Sequence, residues 1–132
     1  MEGQPDVARI QERARQLSKS LLGSQFRAEV AAFLRAAEPP FWARRIAAQT
    51  GIPENKVAAE LSRFARDGLL AASSPAQWDR RKLYDRAGDS SYWEFGHEVI
   101  VRAAETEALR LGISTQEAVG AYFEAILDEV GS

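Results

Sequence analysis

The only histidine in the chain, His97, stands beside Glu94 and Glu98. Two carboxylates and an imidazole on one helix could touch a metal ion. A transition-metal site would need a second histidine or a cysteine to complete its ligand set, and neither exists here. His97 therefore reads as a partly exposed helix histidine, and no metal, cofactor or catalytic group is expected. Gly96, Gly112 and Gly120 are isolated and form no phosphate-cradling loop. Tyr92, Trp93, Tyr122 and Phe123 could line an apolar effector pocket, but core or dimer packing accounts for them as well and is the expectation. The remaining chemistry is that of amides, guanidinium groups and ammonium groups gathered in the middle of the chain. Residues 40–86 carry nine basic and five acidic groups, residues 1–39 six and five, and residues 87–132 two and nine. A segment that meets a polyanion concentrates positive charge in this way, even though the net charge of the whole chain is −2.

The basic segment contains Ala47, Gly51 and Val57 at the spacing of a helix-turn-helix, within the stretch Ile46–Leu61. Each has a steric reason. Ala47 is small enough for a second helix to cross closely, and Gly51 can take the left-handed conformation that ends the first helix. Ile52, Val57, Leu61 and Phe64 are spaced to point into one core. Pro53 falls where the second helix begins, a position that tolerates its fixed φ. That helix ends at Asp67-Gly68, and Leu69-Leu70 opens a strand.

These residues, followed by the basic stretch Trp78-Asp-Arg-Arg-Lys-Leu-Tyr-Asp-Arg86, resemble winged-helix DNA-binding regulators of the broad MarR, PadR and ArsR style. The resemblance covers roughly residues 24–90. It implies a mainly α fold with a small β-hairpin wing, flanked by dimerisation helices, and a sequence-specific DNA-binding transcriptional regulator acting as a homodimeric repressor. Winged helices also serve purely as protein-interaction modules. The alternative is therefore an adaptor that holds another protein through its acidic C-terminal helices.

On the DNA reading, the second helix of the motif enters the major groove with its N-terminal turn leading. Asn55 can bond adenine, Lys56 guanine or a phosphate, and Glu54 can accept from cytosine. Ala58, Ala59, Ser62 and Arg63 follow on the exposed side, where the alanines suit thymine methyl groups. Arg44, Arg45 and Gln49 would meet phosphates, and Arg80, Arg81 and Lys82 in the wing would meet phosphate or a narrow minor groove. Glu54 and Glu60 would both repel phosphate, a departure from the more basic recognition helices of this style. Double-stranded DNA and a second copy of the chain are the expected partners, with a small-molecule or protein effector left open.

The elements that position these groups follow from periodicity and punctuation. A first helix is expected from about Pro5 to Leu22, with Val7, Ile10, Ala14, Leu17 and Leu21 as a short heptad seam. Ser24 would cap a second helix ending near Ala37, before Pro39-Pro40. Phe41 and Trp42 read as core plugs rather than stacking platforms. Strands are expected at about 69–72 and 80–86, joined by a turn at 73–77. Asp89-Ser90-Ser91 would cap a helix over about 92–111, and Ser114–Glu117 is a capping box for a last helix to about Glu129. Val119, Tyr122, Phe123 and Ile126 form that helix's apolar face. The chain divides into an N-terminal amphipathic helix (1–23), the DNA-binding domain (24–90) and a C-terminal helical pair (91–132). Three apolar stripes on the flanking helices exceed what one small domain easily covers, so the seam of the first helix and the face of the last are expected at a dimer interface.

At 132 residues with 45% hydrophobic content, the chain can bury a core of its own. No apolar run approaches the ~20 residues needed to cross a bilayer, and the first residues lack a basic start and an apolar stretch. With no cysteine, thiol redox chemistry and disulfides are excluded. A cytoplasmic protein is the simple expectation. The Ala- and Arg-rich usage matches the bias of a GC-rich bacterial genome, an association rather than a physical argument.

Overall fold

A computed structural model describes residues 4–73 and 82–128. Its elements in chain order are α1 (Val7–Leu22), α2 (Arg27–Ala36), α3 (Ala43–Thr50), α4 (Glu54–Arg66), β1 (Leu70–Ser73), β2 (Leu83–Arg86), α5 (Ser91–Leu111) and α6 (Thr115–Leu127). The fold is mainly helical with one antiparallel hairpin, in which Leu70 stands opposite Arg86 and Ser73 opposite Leu83. Local chemistry explains most boundaries. Asp6, Ser90 and Ser114 each accept a backbone N–H at the start of α1, α5 and α6. Gly51 ends α3 at φ 77°, in the left-handed region that a side chain resists. Ser24 does not cap α2, which starts three residues later. Its hydroxyl donates to Glu60 Oε2 instead (2.8 Å), satisfying a carboxylate on α4.

Helix α5 is the central strut. Helices α1 and α2 lie along it, and α6 packs against it. The approach of α2 is close because α5 has no side chain at Gly96, which faces Ala28, Ala31 and Ala32. Helix α4 is held to α5 by aromatic edges, with Phe64 meeting Tyr92 at 5.4 Å and Trp93 at 5.2 Å between ring centres. Tyr122 and Phe123 form a separate pair on α6, 5.0 Å apart. The four aromatic residues offered as a pocket lining therefore divide between two packing clusters. One continuous cluster of buried side chains runs from Ile10 on α1 to Ile126 on α6, so the flanking helices share the core of the central segment.

That continuity reassigns most of the expected dimer seam. Ile10, Ala14 and Tyr122 are fully buried within the chain, and Ile126 almost so. Val7, Leu17, Val119 and Phe123 pack partly against the same core. On α1 the fully buried positions are Ile10, Ala14 and Ser18, four residues apart, with Val7 and Leu17 packed partly beside them. Ser18 can sit inside because its Oγ donates to Ser24 O (2.5 Å) and accepts from Ala28 N (3.0 Å). Leu21, which the heptad placed on the seam, is left 60% exposed. Among the described residues, no helix is long and apolar enough to cross a membrane.

Candidate nucleic-acid interface

The turn between α3 and α4 is fixed by its own hydroxyl and by α1. Thr50 Oγ1 donates to Ile46 O (2.7 Å) and accepts from Ile52 N (3.3 Å), while Gly51 N donates to Ala47 O (2.9 Å). The Thr50 carbonyl accepts from Gln11 Nε2 (2.8 Å) and Arg15 Nη2 (3.4 Å) on α1. Those two side chains also hold Glu29 on α2, at 3.0 and 2.5 Å, and Tyr122 on α6 donates to the same carboxylate (3.2 Å). Burial raises the Glu29 pKa despite these three donors. Burial first, and then the Glu29 charge, push the Tyr122 hydroxyl well above its usual range. No pattern of polar residues pointed to this network. The usable signal was that Ala28–Leu34 is apolar on every side of the helix apart from Glu29, which forces that carboxylate inside.

The hairpin is fastened to the same unit. Phe41 and Tyr84 exchange two backbone hydrogen bonds of 2.8 Å, which lays the segment between α2 and α3 against β2. Phe41 is fully buried, as a core plug should be, whereas Trp42 is half-buried and lines a surface cleft beside α4. Arg86 on β2 donates to Leu34 O and Ala37 O at the end of α2 and lies over the Phe41 ring.

Helix α4 presents two unlike faces. Val57, Glu60, Leu61 and Phe64 point inward. Glu54, Asn55, Lys56, Ala58, Ala59, Ser62, Arg63 and Arg66 are exposed. Glu60, expected to repel phosphate, is buried and accepts from Arg27 Nε (2.7 Å) and Ser24 Oγ. Burial opposes the charge on Arg27, yet the bond and charge of Glu60 prevail and raise its pKa. Of the expected phosphate contacts, Arg44 is exposed, but Arg45 is turned back into the fold. Its Nη1 donates to Glu38 O (2.7 Å) and Pro40 O (2.8 Å), and its guanidinium sits over Phe33, Phe41 and Trp42. Gln49 donates to Ile126 O on α6 (3.1 Å) and accepts from Arg45 Nε (3.4 Å). Both are fastenings of α3 rather than free donors, because their side of the helix faces α6 and the loop before it. Lys82 is exposed at the base of β2, while Arg80 and Arg81 lie outside the described residues.

Arg44, Glu54, Ala58, Ser62 and Lys82 come together around a cleft of about 350 Å³ floored by Trp42, Leu61 and Tyr84. The outward face of α4, the first turn of α3 and the base of the hairpin thus form one surface. Among the described residues, Arg44, Lys56, Arg63, Arg66 and Lys82 on it have no acidic partner within ion-pair distance. His97 lies elsewhere, stacked on Phe123 with ring centres 5.4 Å apart. Arg35 pairs with Glu94 (2.9 Å) and points Nη1 at His97 Nδ1 (3.4 Å), so that carboxylate already has a cation. Burial, then the Arg35 charge, lower the His97 pKa. Among the described residues no cluster of His, Asp and Glu could hold a metal. No family model, curated protein or solved structure matches the chain.

Proposed function

We propose that the protein is a sequence-specific, double-stranded-DNA-binding transcriptional regulator. In this reading α3 and α4 are a helix-turn-helix, and the β1–β2 hairpin is the wing of a winged helix. The observation that carries the reading is the sorting of charge on α4. Glu60 is paired with Arg27 inside, while Asn55, Lys56, Ser62, Arg63 and Arg66 occupy the outer face together with Ala58 and Ala59, and Glu54 is the one carboxylate of α4 left on it. An α-helix of that width fits the major groove, where Asn55, Lys56 and Arg63 meet base edges or phosphates. Arg44 and Lys82 stand around one cleft beside the helix and would meet phosphates on that side. A module bound over a promoter occludes it, so repression is the sign of regulation that fits.

The test is a fluorescence-anisotropy titration against a short random-sequence duplex over a range of salt. If Arg44, Lys56, Arg63 and Lys82 each neutralise one phosphate, log K falls against log[salt] with a slope of about −3.6. Absence of binding at low salt, or a slope near zero, would overturn the assignment in favour of a protein-interaction module.

A further inference from the structure

His97 is the only histidine of the chain and stands, half-buried, where α2, α5 and α6 meet. Its ring lies nearly parallel to that of Phe123 on α6, tilted by 15°. Its Nδ1 is 3.4 Å from Nη1 of Arg35 on α2, and Arg35 Nε is held by Glu94, one turn back on α5 (2.9 Å). A guanidinium can only donate, and it stays charged throughout the pH range in which proteins fold. The contact therefore requires a lone pair on Nδ1, which puts the one proton of a neutral imidazole on Nε2. We propose that Arg35, His97 and Phe123 form an acid-sensitive latch: the neutral imidazole clamps α6 to α2 and α5, and a proton on His97 releases it.

The geometry makes the two states exclusive. A proton turns Nδ1 from an acceptor into a donor, so two N–H groups and two positive charges would face each other across 3.4 Å. Arg35 is anchored by Glu94, so the imidazole is the group that gives way. The charges acting on it are Arg35 from α2 and Glu94 and Glu98 from its own helix, while α6 contributes the ring of Phe123. The two carboxylates favour the charged ring, but burial and Arg35 outweigh them, and His97 takes a proton less readily than a free histidine. Helix α6 is the element that the latch controls. Beside Phe123 it carries Tyr122, whose hydroxyl donates to Glu29 on α2, and one turn on it carries Ile126, whose carbonyl accepts from Gln49 on α3. The seat of α6 therefore reaches the first helix of the α3–α4 pair. Because the folded pKa lies below the ordinary 6.5, the contribution of His97 to stability is fully present above pH 6.5 and is lost as pH falls through the folded value.

This inference does not rest on DNA binding, and a single histidine makes it directly readable. A proton–nitrogen correlation spectrum of the full chain, labelled in the imidazole, should show the Nε2–H tautomer at neutral pH and a titration midpoint below 6.5. Arg35→Gln should move that midpoint upward. Hydrogen exchange, corrected for intrinsic rates, should show the α6 amides losing protection by up to about tenfold per pH unit below 6.5, levelling off once the folded protein is itself protonated. His97→Gln, which takes up no proton, should remove that loss and leave only the pH dependence due to carboxylates such as Glu29. An Nδ1–H tautomer, a midpoint at or above 6.5, or a midpoint that Arg35→Gln leaves in place would overturn the proposal. So would α6 protection that follows one pH course in wild type and His97→Gln, the imidazolium then turning over on Phe123 without releasing the helix. The tautomer and the midpoint are read on the wild-type chain, so they decide the matter even where a variant fails to fold.

Discussion

Gly96 and Gly120 both lie inside helices, and replacing each by alanine should have opposite effects. Alanine is better than glycine in a helix interior by about 0.5–1 kcal/mol. At Gly120 nothing lies within 4 Å of the added Cβ, so Gly120→Ala should keep that gain. At Gly96 the Cβ would stand 2.6 Å from Ala31 Cβ and 3.1 Å from both Ala28 O and Ala32 N. None of these is the end of a flexible side chain. Carbon atoms prefer about 3.5–4.0 Å, so α2 and α5 must separate by about 1 Å, which forfeits a quarter to a half of the dispersion well wherever the gap opens. Overpacking of this kind costs about 1–3 kcal/mol, and the rigidity of the neighbours sets it at the upper end. After the propensity gain, a net loss of about 2 kcal/mol remains. At roughly 3–5 °C per kcal/mol for a chain of this length, Gly96→Ala lowers Tm by about 6–10 °C and Gly120→Ala raises it by about 2–4 °C. Thermal melts followed by circular dichroism read both. If Gly96→Ala melts at or above the wild-type temperature, the contact between α2 and α5 is not as close as argued.

Two further predictions separate the side chains that build the fold from those that face outward. Arg45→Ala removes two hydrogen bonds to carbonyls and should cost about 1–3 kcal/mol in urea unfolding while leaving the salt slope for DNA unchanged. Arg63→Ala should leave stability within about 0.5 kcal/mol and flatten that slope by about 1. Glu29 has a pKa raised above its ordinary 4.5, so its contribution to stability is fully present below 4.5 and is lost as pH rises through the folded value. Glu29→Gln should therefore decline less in stability than the wild type as pH is raised from 4.5 toward neutrality. Parallel pH profiles of the urea midpoint would refute that linkage.

The elements that the sequence made legible are those governed by neighbours along the chain. Gly51, Pro53, Ser90 and Ser114 announce turns and caps because their conformational preferences act within a few residues. Side-chain direction was legible only where apolar residues reported it. Arg44 and Arg45 are adjacent and chemically alike, but one turns to solvent and the other to the carbonyls of Glu38 and Pro40. That difference of about 100° around α3 depends on a loop whose path is set by Phe41 pairing with Tyr84 on β2. Sequence reasoning sets Glu60 among the phosphate-facing residues, although it lies between Val57 and Phe64 on the apolar face, where a carboxylate must find a buried partner. Ser18 was not legible, because its inward role depends on Ser24 O and Ala28 N beyond the end of its helix.

Counting charges along the sequence misstates the electrostatics of the α4 surface, and correcting the count bears on how tightly it can hold DNA. Arg45 and Arg86 belong to carbonyl oxygens, and Glu60 belongs to Arg27. Between residues 40 and 86, the described charges left facing outward are Arg44, Lys56, Arg63, Arg66 and Lys82, with Glu54, Asp67 and Asp85 opposing them. On the proposed DNA reading, a face of this strength would neutralise about four phosphates, which belongs with non-specific affinities on the order of 10⁻⁴ to 10⁻⁶ M at physiological salt. Base contacts from Asn55 and Lys56 would add about 1–3 kcal/mol for each good pairing, which one short helix cannot multiply far. Tight operator binding then requires two such faces on one particle, where the second contact forms at a high effective concentration.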